Sequence, residues 1–367
     1  MKIGLLTLPV ETGYGSILQA VALKEQLVRR GHDVILIRRH VERKDSLSQL
    51  VIRFLHKLLK NHDIIVRIRR KERNDFPIIT QYTQPFIDKH LQPYTEMYFS
   101  SKAMKKVNKL GLDAIVVGSD QVWRPGYMQN VADYFLYQVS DRVKKYAYAA
   151  SLGTDYWKFS DQETKICGEA IRKFKLISVR ESSSVKMCED HFGIKPTFVL
   201  DPTLLCKSEF YSNLIDEHDK EREGKVCAYI LDHDDMMPIV DKYARLLSTK
   251  PIFPHGKVEN PSAPVEQRIV KPVSTWLDCI KSSCAVCTDS FHGMVFSIIF
   301  NRPFVVSINH QEGAARFMSL LGLLHLEDRI VDVNTDLSKL RPIDWGEVNS
   351  ILDGMRKVSN DFLDNIK

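Results

Sequence analysis

The sequence predicts an α/β protein made of two Rossmann-like, doubly wound halves that face one another across a cleft. Three observations carry this expectation. Short apolar runs alternate with longer amphipathic ones, the pattern of strands and helices in a parallel sheet covered on both faces. The alternation is interrupted by the polar stretch DEHDKEREGK at 216–225 and then restarts. The chain has 367 residues, more than one hydrophobic core usually supports.

In the first half, strands are expected at 2–8, 34–38, 114–118, 145–150, 176–179 and 197–200. Between the first two, SILQAVALKEQLVRRGH places Ile17, Leu18, Val21, Leu23, Leu27 and Val28 close to a 3.6-residue period, and Gly31 ends the helix. This is a βαβ unit. Beyond the polar stretch, strands are expected at 226–231, 251–254, 285–288 and 304–308, with helices at 236–249, 273–283 and 291–301. A last helix is expected at 347–362. The domain plan is therefore 1–215, 216–342 and a C-terminal segment, 343–367, packing back on the first half. In such a plan a ligand lies between the carboxyl ends of the two sheets.

Hydrophobic content of 44% and charged content of 27% are those of a globular protein, which excludes a mainly disordered chain. The formal charge of +6 is local: residues 38–73 carry twelve basic against four acidic side chains, leaving the remainder close to −2. Within the insertion at about 40–75, Leu50, Val51, Phe54, Leu55, Leu58 and Leu59 form an apolar face ringed by Arg53, His56, Lys57 and Lys60. Such a helix either packs on its own domain or, through 48–73, touches an anionic membrane surface. No nucleic-acid partner is expected. The seven cysteines are odd in number and several sit in apolar runs, which fits a reducing, cytoplasmic compartment. The opening MKIGLLTLPVETGYG reads as a strand rather than a signal peptide, because Thr7 and Pro9 break its apolar run.

The stretch CTDSFHGMVF holds the most informative chemistry. A strand ends at Thr288, Asp289 or Ser290 caps the next helix, and His292 falls in its first turn beside Gly293. Free N–H groups there favour an anion, and a histidine beside a bound anion suits a general acid. The plain alternative is a histidine bonded to a neighbouring loop. AIVVGSDQVWRPG ends another strand with Gly118, Ser119, Asp120, Gln121 and Trp123, and LISVRESSS ends a third with Arg180, which can clamp a carboxylate or phosphate bidentately. The first strand is followed by a loop carrying Gly15 and Ser16 that matches neither standard nucleotide-binding glycine pattern. Cys284 and Cys287 form a C-x-x-C on a predicted strand without a second ligand pair, and read as core thiols rather than a metal or redox site. The acidic run at 232–235 reads as a solvated loop, and no metal is expected.

Taken together and in this order, YGSILQAVALKEQL, AIVVGSDQVW, SVRESSS and DSFHGMVFSIIFNRPFV resemble the polysaccharide pyruvyl transferase family over nearly the whole chain. The resemblance implies a fold similar to the GT-B glycosyltransferases. It also implies transfer of the pyruvyl group of phosphoenolpyruvate to two hydroxyls of a sugar, forming a cyclic ketal in cell-surface polysaccharide biosynthesis. By motif, Arg180 matches the family's anion-binding arginine and His292 its histidine, the proposed general acid. The chain departs from the family in one place: Ser290 stands where better-studied members have an arginine two positions before the histidine. Arg316, which follows the Asn309 region, or Lys271 would then supply the missing cation.

On this reading His292 protonates C3 of phosphoenolpyruvate, Arg180 and Arg316 hold its anionic groups, Asp120 accepts or orients a hydroxyl, and Trp123 stacks on a sugar face. The donor is a substrate, with no separate cofactor, and the acceptor is a sugar, an oligosaccharide or a lipid-linked glycan. Two other readings stay open: a nucleotide-sugar glycosyltransferase of the same two-lobed plan, and a non-catalytic carbohydrate-binding member of the family.

Overall fold

The computed structural model describes residues 1–40, 75–231, 236–256, 258, 263–308 and 313–367. The basic segment 48–73, the acidic run 232–235 and Asn309 lie outside the described residues. Two parallel sheets organise the chain. The first has six strands, β1 (Lys2–Leu6), β2 (Asp33–Ile37), β3 (Ala114–Val117), β4 (Lys144–Ala150), β5 (Leu176–Val179) and β6 (Thr197–Phe198), in the order β2-β1-β3-β4-β5-β6. The second has four, β7 (Val226–Tyr229), β8 (Pro251–Ile252), β9 (Ala285–Thr288) and β10 (Phe304–Val306), in the order β10-β9-β7-β8. Each sheet with its helices is a Rossmann-like lobe.

The longer helices are α1 (Tyr14–Arg29), α2 (Thr83–Leu91), α3 (Asp161–Ile171), α4 (Ser182–Phe192), α5 (Met236–Leu246), α6 (Val273–Ser282), α7 (Phe291–Ile299), α8 (Ala314–Leu323) and α9 (Trp345–Asp364). Strand β1 is buried along Ile3–Leu6 and β3 throughout, because helices cover both faces of the sheet. Helix α9 docks on the first lobe: Ser359 accepts the Leu200 N–H at 3.0 Å, Arg356 donates to the Leu204 carbonyl at 2.7 Å, and Phe362 packs against Tyr148. Strand β1 stops at Leu6, short of the expected end at residue 8, because Thr7 turns to bond the Ser119 carbonyl at 3.0 Å. Among the described residues, no helix is long and apolar enough to cross a membrane.

In each sheet the chain winds first to one side and then to the other, so each has a switch point: between β1 and β3 in the first, between β7 and β9 in the second. The loops that diverge there meet across the inter-lobe crevice. The seam is built by two adjacent residues of α1. Tyr14 enters the second lobe, stacking on Trp276 at 5.2 Å and donating its hydroxyl to the Lys271 carbonyl at 3.0 Å. Gly15 receives the ring of His292, since a β-carbon there would lie 2.1 Å from the imidazole Nδ1 and 2.3 Å from Cγ. A glycine is therefore required by the residue opposite and not by the local backbone.

Gly15→Ala is expected to force the His292 ring out of place and to cost about 1–3 kcal/mol, as overpacking does. Thermal unfolding together with a crystal structure checks this; an unshifted Tm with the ring unmoved would contradict it.

Candidate active site

The sequence places short polar loops after β1, β3, β5, β6 and β9, and the fold brings all of them to the crevice. From β3, Asp120 follows in a left-handed conformation, φ +75°, that aspartate tolerates better than most residues. Its carboxylate accepts from Ser16 at 3.0 Å, from its neighbour's Gln121 N–H at 2.9 Å and from Arg180 Nη2 at 3.2 Å. From β5 comes Arg180, with a side chain only 1% exposed. Its Nη1 donates to Ser119 at 3.2 Å and to Asp201 at 2.5 Å, and its Nε donates to Glu181 at 3.3 Å. Three buried carboxylates thus surround one guanidinium.

This arrangement corrects the role expected of Arg180. Four of its N–H groups are committed to protein acceptors, so it organises carboxylates instead of clamping a ligand anion. Burial works to lower its pKa, but Asp201, Asp120 and Glu181 together outweigh burial and hold it above the ordinary arginine value. Burial works to raise the pKa of Asp120, and here too the neighbouring charges of Arg180, His292 and Arg316 win, keeping the carboxyl below its usual range.

Asp201, which sequence reasoning did not single out, ties the group together. It follows β6 and caps a helical turn through Oδ1, which accepts the Thr203 N–H at 3.0 Å and the Thr203 hydroxyl at 2.7 Å. Its Oδ2 accepts from Ser119 at 2.9 Å and from Arg180, and faces His292 Nε2 at 3.7 Å. Against the effect of burial, the facing His292 ring and the charge of Arg180 hold this carboxyl well below the usual range. The signal was present: Leu-Asp-Pro after an apolar run places a capping aspartate before a proline that opens a turn. Glu181, the residue after Arg180, is fully buried and also accepts from Ser184 at 2.9 Å.

From the second lobe, β9 leads through Ser290 into α7. Ser290 caps α7 by accepting the Gly293 N–H at 3.3 Å, which is why an uncharged residue there serves the local structure. His292 follows in the first turn, with a side chain 8% exposed, and its Nε2 is sealed from solvent without a hydrogen-bond partner. Arg316, on α8, brings a second unsatisfied group. Its guanidinium lies 5.4 Å from the Phe291 ring centroid, and its Nε is buried without a partner. Burial, reinforced by the charge of Arg180, lowers its pKa to about 10. Arg180 lies over the same Phe291 ring at 4.9 Å. Lys271 does not join them, because its ammonium is bonded to the Phe253 carbonyl at 2.9 Å.

Several expected site residues prove to be supports. Trp123 is fully buried, stacked on Phe135 at 4.8 Å with its indole N–H on the Tyr134 carbonyl at 3.1 Å, so it offers no face to a sugar. Gly293 allows β9 and β7 to approach its own helix: a β-carbon would meet Thr288 Oγ1 at 2.4 Å. Gly118 does the same against Leu5 and Leu23. Gln121 accepts from the buried Arg124 at 2.8 Å. Cys287 is buried in β9, Cys284 donates to the Lys225 carbonyl at 3.3 Å, and all seven cysteines are free thiols.

Among solved structures, the chain is similar to an S. aureus MnaA in complex with UDP (12% identity, 99% of this chain and 92% of that one covered, TM-score 0.48). It is similar also to a Methanocaldococcus jannaschii UDP-GlcNAc 2-epimerase in complex with UDP-GlcNAc and UDP (11%, 97% and 100%, 0.41). A third is a putative UDP-N-acetylglucosamine 2-epimerase from Listeria monocytogenes (11%, 99% and 91%, 0.49). No curated protein sequence matches the chain. The family model described as polysaccharide pyruvyl transferase matches residues 14–311, from the Tyr14 that bridges the lobes through β10. The match takes in the strand ends that supply Asp120, Arg180, Asp201 and His292, and this chain belongs to the polysaccharide pyruvyl transferase family.

Proposed function

We propose that the protein transfers the pyruvyl group of phosphoenolpyruvate to two hydroxyls of a sugar, making a cyclic ketal, with His292 as the general acid. The observation that carries this reading is the pairing of His292 and Arg316 at the crevice. Arg316 Nε is buried without a partner, His292 Nε2 makes no hydrogen bond and faces the Asp201 carboxylate at 3.7 Å, and among the described residues Arg316 has no carboxylate within ion-pair distance. A guanidinium with a sealed nitrogen and no ion-pair partner is costly, and an anionic donor supplies one. Phosphoenolpyruvate carries two anionic groups on an electron-rich alkene, so it answers both a cation and an acid.

The residues divide the work as follows. His292 gives a proton to C3, the C2=C3 electron pair forms the new C–H bond, and C2 becomes electrophilic. A sugar hydroxyl adds to C2 while Asp120, fixed by Ser16 and Arg180, orients it. The C2–O bond to phosphate then breaks, and the second hydroxyl closes the ring. Of the two hydroxyl hydrogens, one is balanced by the methyl formed at C3 and the other leaves with phosphate. Arg316 takes the place of the arginine that family members carry at the position of Ser290, holding the donor's charge from α8. The acceptor is a sugar, an oligosaccharide or a lipid-linked glycan of a cell-surface polysaccharide.

His292→Ala is expected to lower turnover by roughly 10²–10⁴-fold, the usual worth of a positioned acid, while phosphoenolpyruvate still raises the melting point. Near-native ketal formation in that variant would remove the acid role. Arg316→Ala is expected to abolish the thermal shift with phosphoenolpyruvate. A response of the wild-type protein to UDP- or GDP-sugars and none to phosphoenolpyruvate would replace this reading with a glycosyltransferase, and a response to no donor would favour a carbohydrate-binding protein.

A further inference from the structure

The geometry points to Asp201 as the positioning residue for His292: its carboxylate faces Nε2 and sets the tautomer, so that Nδ1 is the nitrogen that carries and delivers the proton. This inference rests on His292 being the acid and adds which end of the ring does the chemistry. The two nitrogens are in different surroundings. Nε2 is sealed from solvent and faces Asp201 Oδ2 at 3.7 Å, within ion-pair reach. Nδ1 lies at the seam between the lobes, against the bare α-carbon of Gly15, where a β-carbon would be 2.1 Å away.

Asp201 is itself rigidly held, as an orienting group must be. Oδ1 is occupied by the N–H and hydroxyl of Thr203, and Oδ2 takes Ser119 and Arg180. The carboxylate is 3% exposed as a residue and remains ionised under the influence of Arg180, so the Nε2 it faces is favoured as N–H. A carboxylate beside one imidazole nitrogen fixes the tautomer and leaves the other nitrogen for proton transfer. When the ring is neutral, the hydrogen sits on Nε2. When the ring is protonated, the transferable hydrogen sits on Nδ1, and passing it to C3 returns the ring to the tautomer that Asp201 already stabilises. No reorientation separates the two states.

The tautomer is read directly by long-range ¹H–¹⁵N correlation on protein labelled with ¹⁵N-histidine, with the His292 signals assigned from their loss in His292→Ala. The wild-type protein at alkaline pH is expected to show His292 in the Nε2–H form. In Asp201→Asn the two tautomers should mix and turnover should fall by at least tenfold, with the phosphoenolpyruvate melting shift retained. A wild-type Nδ1–H form, or an unchanged Nε2–H form in a folded Asp201→Asn, overturns the assignment. Because the wild-type spectrum needs no substitution, the test stands even if the variant fails to fold. Because it needs no turnover, it also stands apart from the ketal assay: an Nε2–H ring in a protein that makes no ketal would sink the proposed reaction and leave the Asp201 contact in place.

Discussion

One buried guanidinium organises the crevice. Arg180 draws Asp120, Glu181 and Asp201, from the ends of three different strands or their loops, onto a single centre. Without it, three carboxylates would be buried close together with no counter-charge, and removal of one partner from a buried pair typically costs about 3–5 kcal/mol. The arginine therefore sets the positions of the groups around it, with four of its N–H groups taken by them. Its place after an apolar strand and the family likeness both assign this residue to the ligand; its surroundings assign it to the scaffold that holds the neighbouring carboxylates.

The proposed reading gives anion binding to the second lobe, and the charge distribution supports it. Around Arg180 the first lobe is acid-rich, which disfavours an anion at its surface. Opposite lie His292 and Arg316, on α7 and α8, with Phe291 providing an apolar floor under both guanidinium groups. Ser290 is spent on capping α7, so the cation arrives from α8 by a longer path through the sequence. A negative wall facing a positive one fits a reaction in which a hydroxyl is oriented on one side and an anionic donor is held on the other.

The strands were legible because burial on both faces writes them as apolar runs: 176–179 and 285–288 are observed at the expected bounds, and the helix opening at Tyr14 was visible from its period. Helices α2, α3, α4 and α8 were not assigned from the sequence, although α3 carries a Ser160–Glu163 capping box that could have revealed it. The site was legible in part. Strand ends pointed to Asp120, Arg180 and His292, since polar groups after apolar strands collect at one edge of a parallel sheet. What the sequence does not encode is which neighbours saturate a given side chain. That is why Arg180 reads as open and Trp123 as a sugar platform, and why Asp201 does not stand out. The requirement for glycine at 15 is still less visible, because it is imposed by a ring 277 positions further along the chain.

Tyr14 adds one consequence. Its ring is stacked on Trp276 in the opposite lobe and is flanked by Tyr229 and His255, while the next residue touches His292. Any widening of the crevice at Gly15 draws the phenol off the indole. The distance between lobes is therefore tied to the surroundings of one tryptophan, and the molecule carries its own optical gauge of opening.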